Sequence, residues 1–217
     1  MTLAHDERLA LCALLDQTSP QAPTLCEGWT TRDLAAHLVL REHRPDAAAG
    51  AMGGPLAGHT RRVQRSLTRR TPYPRLVEII RNGPPRLSFF AIPGMDERAN
   101  LVEYFVHHED VLRGAPGWEP RTVSTDLTEA LWQRLGLARF LLREAPAGIE
   151  LVRDDIPADP GPQRVRITAK ASAPVVTVTG SPVELTLWTL GRTSAAQVKL
   201  EGSETAIGKL AAPGWRH

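Results

Sequence analysis

Shortages of cysteine, of apolar runs and of net charge exclude whole classes of protein. The 217 residues include two cysteines, Cys12 and Cys26, which are too few for a disulfide framework or a thiolate metal site and favour a reducing compartment. We expect both to be small core residues. No stretch approaches the roughly 18 apolar residues of a membrane span, and residues 1–16 carry charges where a signal peptide would have an apolar run. The sequence therefore predicts a cytoplasmic protein without a membrane segment.

The net charge is small, because 26 lysines and arginines against 24 aspartates and glutamates give +2. No global field therefore argues for nucleic acid or for an anionic membrane as a partner. The local exception is residues 61–86, where eight arginines face a single acid, Glu78. Three of these arginines, Arg61, Arg65 and Arg69, are spaced four residues apart.

This basic segment has two interpretations. It could bind nucleic acid or the anionic groups of a cofactor, or it could form a solvated face or an interface with acidic partners. The arginines are not interleaved with an aromatic platform, and no nucleic-acid motif accompanies them. Both observations argue against nucleic acid and favour the second interpretation.

Apolar residues at helical spacing predict a series of helices in the first two thirds of the chain. The first is marked by residues 9–15 and ends before Pro20, and a capping box of Thr30 and Asp33 begins the second. Further helical segments are predicted around residues 63–67 and 76–80, over 96–113 and over 126–144, with a loop over 50–59. The segment that begins at Asp96, a candidate N-cap, is the clearest because it lacks Gly and Pro.

After residue 146 the pattern changes to short β-rich runs, at residues 149–152, 165–167, 175–178 and 198–200. Before the last run, Ser181, Pro182 and Glu184 supply an N-cap, a first-turn proline and a capping-box acid, and predict a helix over Val183–Leu190. The fold class is therefore α+β. We expect a helical bundle over residues 1–145 and a small α+β domain over residues 146–217.

The helix predicted over residues 96–113 carries a candidate metal site. Glu103 and His107 lie about 40° apart around its axis, and Asp110 falls on the same face one turn further on. A carboxylate and an imidazole at this spacing supply two ligands to a divalent metal without bending the backbone. His37 is the best candidate for a third ligand, because it lies on the inward face of its helix, where an unpaired ring would be costly to bury.

These residues also have ordinary interpretations. A Glu and a His four residues apart form simple side-chain pairs on many exposed helices, and a single His on an apolar face is often a hydrogen-bonded core residue. His108 is a rival to His107, but the helical wheel points it to another face, with Phe105. Asp110 could fix the tautomer of a ligand or act as a fourth, weaker ligand, and we favour the first role.

Three motifs, distributed along most of the chain, resemble those of a known family. They are Thr24–Leu38, which joins a Glu-Gly-Trp turn to His37, then Glu103–Asp110 and Leu185–Arg192. In order and spacing they resemble the mycothiol-dependent maleylpyruvate isomerase family, part of the DinB-like superfamily. The resemblance implies a DinB-like four-helix bundle that binds a divalent metal, typically zinc, through His37, Glu103 and His107, followed by a small α+β domain.

The resemblance also implies a low-molecular-weight thiol, mycothiol, as cofactor, and an isomerase or transferase reaction on a small polar substrate. Arg192 matches an arginine position in the family that we expect to face the cleft between the domains and bind a carboxylate. Its alternative is a cation that completes the dipole at the end of a helix. Trp29 is expected either to line the pocket or to anchor the core.

A metal with three protein ligands has an open position, and its occupant decides the chemistry. A thiol there would be activated as a thiolate, whereas water there would make a hydrolase. A metal-binding or ligand-binding protein without turnover is the third possibility. The resemblance favours the thiol, and the motifs of serine hydrolases, phosphate loops and zincins are absent from the sequence.

Overall fold

The structure is a computed structural model that describes residues 2–48, 56–85, 94–156, 165–212 and 215. It divides the chain into two units, residues 1–120 and residues 121–217. The predicted boundary at residue 145 differs from this division. The reason is that the helix starting at Thr125 packs against the helix starting at Pro182, within the second unit.

Helices make up the N-terminal unit as far as it is described. They are α1 (Leu3–Gln17), α2 (Thr31–His43), α3 (Pro45–Ala48), α4 (Ala57–Arg70), α5 (Tyr73–Asn82) and α6 (Met95–Leu112). Thr30 and Asp33 form the predicted capping box at the start of α2. The N-cap of α6 is Gly94, so the prediction of Asp96 as the N-cap is wrong, and Asp96 lies inside the helix. Of the loop predicted over residues 50–59, the part up to residue 55 lies outside the described residues, and the part from residue 57 belongs to α4.

The core of the N-terminal unit lies among α1, α2, α5 and α6. Helix α1 packs against α5 and α6, and α2 packs against α5 and α4. Each core helix presents apolar side chains at three- and four-residue spacing, as burial of one helix face requires. The buried side chains include Leu11, Leu15, Leu34, Leu38, Leu76, Ile80 and Tyr104. The predicted N-terminal helical bundle is confirmed.

One buried carboxylate joins three of these helices. Oε1 of Glu42 on α2 accepts hydrogen bonds from Nη2 of Arg8 on α1 at 3.1 Å and from Nδ2 of Asn100 on α6 at 3.0 Å. The hydroxyl of Tyr104, also on α6, donates to the same oxygen. Glu42 is 4% exposed and Arg8 3% exposed, so each charge depends on the other and on these hydrogen bonds for its stabilisation.

The C-terminal unit joins helices to a four-stranded sheet. Its elements are α7 (Thr125–Arg134), α8 (Ala138–Leu141), β1 (Gly148–Arg153), β2 (Arg166–Lys170), β3 (Val175–Gly180), α9 (Pro182–Thr189), β4 (Lys199–Glu201) and α10 (Glu204–Ala211). The strand order is β2-β1-β3-β4, with β1 and β3 parallel and the outer pairs antiparallel. Alternate residues Ile149 and Leu151 of β1, with Val176 and Val178 of β3, form one core with Leu185 of α9. The predicted α+β character is confirmed.

Two features of the C-terminal unit differ from the sequence predictions. The helix predicted over residues 126–144 is interrupted by a 3₁₀ turn at Leu135–Leu137, which contains Gly136, a residue type that weakens helices. Leu141, the last residue of α8, is 55% exposed. Helix α10 is not predicted from the sequence, because it is short and contains Gly208. Among the described residues, no helix combines the length and the apolar character that crossing a membrane would require.

Replacing Glu42 with Gln is expected to lower the free energy of unfolding by about 3 kcal/mol or more, because buried Arg8 loses its counter-charge. The matched control is Glu78→Gln, which breaks an exposed ion pair with Arg75 and should cost less than about 1 kcal/mol. Urea unfolding followed by circular dichroism measures both losses. Equal losses in the two variants would contradict the importance of the Glu42 contact.

Candidate metal centre

Helices α2 and α6 bring three metal-ligating side chains together in the N-terminal unit. Glu103 and His107 are one turn apart on α6, and His37 approaches them from α2. Nε2 of His37 lies 3.4 Å from Oε1 of Glu103, and Nε2 of His107 lies 3.2 Å from the same oxygen. The ligand atoms of all three residues lie within 4.8 Å of one another. The structure therefore brings together the three residues that the sequence predicts as ligands.

These separations suit a small divalent cation. In a tetrahedral site with bonds of about 2.0–2.1 Å, neighbouring ligand atoms are about 3.3 Å apart, which is close to both distances from Glu103. Two imidazole nitrogens and one carboxylate oxygen are also a donor set that zinc accepts. This donor set and the two distances from Glu103 thus fit a small divalent cation.

Asp110 and Cys26 lie on the other side of the His107 ring. Nδ1 of His107 donates to Oδ2 of the fully buried Asp110 at 2.9 Å, and the Cys26 thiol donates to the same oxygen at 3.2 Å. In a neutral ring, a carboxylate that holds the Nδ1–H leaves the lone pair on Nε2, which faces Glu103. The role of Asp110 in fixing the tautomer of a metal ligand stays a prediction. Cys26, His107 and Asp110 also form a second group whose ligand atoms lie within 4.8 Å of one another.

The same contacts shift the protonation of the three candidate ligands. Burial lowers the pKa of His37, although its hydrogen bond with Glu103 opposes the effect. Burial alone would raise the pKa of Glu103, but hydrogen bonds with both histidines hold it well below its usual range. Burial would lower the pKa of His107, yet hydrogen bonds with Asp110, Cys26 and Glu103 raise it well above its usual value. The pKa shifts of His37 and Glu103 therefore favour a neutral imidazole and a carboxylate, and the shift of His107 favours the protonated ring.

Arg41 and Asn100 connect the site to the buried Glu42 network. Nε of Arg41 lies 3.3 Å from Oε1 of Glu103, and its Nη1 donates to Oδ1 of Asn100. Asn100 in turn donates to Glu42. Arg41 is not among the site residues that we predict from the sequence. Its position one turn after His37 on the same helix could have indicated that it lies near the site.

The turn before α2 packs closely against the C-terminal end of α6. A Cβ added at Gly114 would lie 2.6 Å from both the carbonyl oxygen of Pro23 and Cα of Thr24, so this approach requires glycine. The turn also sets the aromatic ring of Trp29 beside His37, with ring centroids 5.1 Å apart. Trp29 therefore borders the site and also packs against the core of the bundle.

The other residues singled out from the sequence lie elsewhere. His108 points to another face of α6, with its Nδ1 4.0 Å from Oε2 of Glu7. Arg192 belongs to the C-terminal unit, where its Nη1 donates to the carbonyl of Leu190 at 2.7 Å, just after α9. This contact is of the kind expected for a cation at a helix end. A role for Arg192 toward a ligand stays a prediction.

Cys12 and Cys26, treated alike from the sequence, differ in the structure. Cys12 is buried in the bundle core, and burial raises the pKa of its thiol to about 11. Cys26 is half-buried and contacts Asp110 beside the candidate ligands. No periodic pattern marks Cys26, because it lies in a turn.

Fold and site together define the N-terminal unit as a helical bundle with a His-Glu-His cluster between two of its helices. Residues 1–86 match the family model described as the mycothiol maleylpyruvate isomerase N-terminal domain. This match confirms the family resemblance for that part of the chain. It includes His37, whereas Glu103 and His107 lie beyond it. No curated protein and no solved structure gives a significant match to the chain.

Replacing Asp110 with Asn is expected to lower the pKa of His107 in metal-free protein, because the carboxylate that stabilises the protonated ring loses its charge. Nuclear magnetic resonance of the histidine rings across a pH series measures this pKa. The control is Asp46→Asn, which alters the exposed contact with His59 and should leave His107 unchanged. An unaltered His107 pKa in the Asp110 variant would contradict the assigned contact.

Proposed function

We propose that the chain is a metal- and thiol-dependent enzyme, an isomerase or transferase, in which His37, Glu103 and His107 hold a zinc ion. The observation that carries the proposal is the convergence of three ligand atoms within 4.8 Å. The match of residues 1–86 to a mycothiol maleylpyruvate isomerase domain supports mycothiol as the thiol and a small polar molecule as the substrate.

Each residue of the site has a defined task in this proposal. Low pKa values keep His37 neutral and Glu103 ionised, so both present lone pairs. Asp110 holds the Nδ1–H of His107, which orients Nε2, and Arg41 orients the Glu103 carboxylate. Three protein ligands leave one position for an exchangeable ligand. A thiol bound at that position would have its pKa lowered by the zinc and would be present as a thiolate at neutral pH.

Trp29 and Arg192 have proposed binding roles. The Trp29 ring lies against His37, and we assign it to the wall of the thiol or substrate pocket. Arg192 is assigned to a substrate carboxylate, for which its planar guanidinium is suited. Neither cysteine forms a disulfide, which supports a reducing compartment such as the cytoplasm.

Protein purified without added metal is expected to contain about one zinc ion per chain. His37→Asn and Glu103→Gln should each reduce this content to background, because each removes one of three ligands. The control, His108→Asn, changes the neighbouring histidine on another face and should retain the metal. Elemental analysis by mass spectrometry measures all four proteins. Full zinc content in both ligand variants would refute the site.

The zinc-loaded protein is expected to convert maleylpyruvate, or to couple mycothiol to an electrophilic acceptor, only when both zinc and the thiol are present. Chelation, or Glu103→Gln, should lower the rate by at least about 100-fold, and zinc should restore the chelated enzyme. Arg192→Gln should raise KM for a carboxylate substrate with little change in kcat. Chromatography of the products and a colorimetric thiol assay follow the two reactions.

The controls of this assay separate the competing functions. Hydrolysis products that form with zinc but without the thiol would replace the proposal with a hydrolase. A fully zinc-loaded protein that turns over no acceptor with mycothiol would instead support a metal-binding protein without catalysis.

A further inference from the structure

The outward face of α4 is strongly basic and takes no part in the metal centre. Five of the fourteen residues of this helix are exposed arginines: Arg61, Arg62, Arg65, Arg69 and Arg70. The opposite face, with Thr60 and Val63, is buried and packs toward Leu40 of α2. At 100° per residue, four of the arginines fall within an arc of about 100° that faces away from the buried side.

Within the described residues, these five guanidinium groups have no carboxylate partner. The arginines of the next helix differ, since Arg75 pairs with Glu78 at 2.7 Å and Arg81 pairs with Asp16. Helix α4 itself contains no acid. Like charges four residues apart destabilise a helix, although Arg69 and Arg70 lie in its last turn, where cations complement the helix dipole. Arg61, Arg65 and Arg69 therefore repel one another, and the described part of the fold supplies no carboxylate that would offset this repulsion.

The arginines border a groove along the helix. Two neighbouring rows at four-residue spacing line it: Gly58, Arg62, Ser66 and Arg70 in one, and Arg61, Arg65 and Arg69 in the other. Because Gly58 and Ser66 are small, the rows enclose a depression of about 420 Å³. A groove between such rows is the feature into which a second helix inserts a row of its own side chains.

We infer that this groove is a docking site for an acidic amphipathic helix of a partner protein, with a carboxylate at every fourth residue. Residues four apart on any α-helix are separated by about 6 Å along its axis, so the partner's carboxylates match the spacing of Arg61, Arg65 and Arg69. Arginine is suited to this contact because its fork binds a carboxylate through two hydrogen bonds. Helix α4 has no Phe, Tyr or Trp on which nucleic-acid bases could stack.

The test uses the full chain and a labelled, alanine-rich helical peptide with three glutamates spaced four residues apart. A peptide of the same composition, with its glutamates distributed around the helix, is the control. Fluorescence anisotropy at low salt should show the matched peptide binding at least about tenfold more tightly. Equal binding of the two peptides would overturn the proposal. Tighter binding of duplex DNA or tripolyphosphate than of the matched peptide would replace it with a phosphate site.

Charge-matched variants locate the contact on the molecule. Arg61→Gln with Arg65→Gln should weaken the peptide complex by at least about tenfold, since one row of the groove loses two of its three charges. Arg75→Gln with Arg81→Gln removes the same net charge from α5 and should weaken it by less than about threefold. Gln has nearly the helix propensity of Arg, and circular dichroism checks that both variants fold. Equal weakening in the two double variants would overturn the proposal.

Discussion

The buried carboxylate of Glu42 holds α1, α2 and α6 in register, and the candidate metal centre depends on that register. One of its oxygens accepts three hydrogen bonds from two other helices, so none of the three helices can slide without leaving a buried polar group unpaired. Asn100 extends the contact to Arg41, which lies against Glu103. The precision of the candidate metal site, which two helices would share, thus begins in a hydrogen-bond network outside that site.

Much of this architecture follows from patterns that are local in the sequence. The capping box at Thr30 and the spacing of Glu103 and His107 obey the geometry of a single helix, which a helical wheel reproduces. The choice of His37 from a second helix rests on its inward position and on the family resemblance. The site residues that we do not predict from the sequence are those that contact distant segments of the chain. Cys26 reaches Asp110 from a turn, and Arg41 reaches Glu103 from another helix.

Arginine shows how strongly context decides the role of one residue type. Arg8 and Arg113 are buried and each is paired with a glutamate, so their charge contributes to the fold only together with that partner. The arginines of α4 are exposed and have no carboxylate partner among the described residues. In the sequence, the buried and the exposed arginines look alike. The difference becomes apparent only when the fold specifies which acids lie within reach.

The two nitrogens of His107 give the site a chemical property beyond its shape. Nδ1 is held by Asp110, and the raised pKa of His107 favours a proton on Nε2 as well. In the proposed metal centre a cation would have to displace that proton from Nε2, so metal loading would be an exchange of one ion for another. Acid would then compete with the metal, and the affinity of the proposed site would increase as the pH rises through the pKa of His107. The helix that supplies the candidate ligands would thus also make metal occupancy dependent on the acidity of its surroundings.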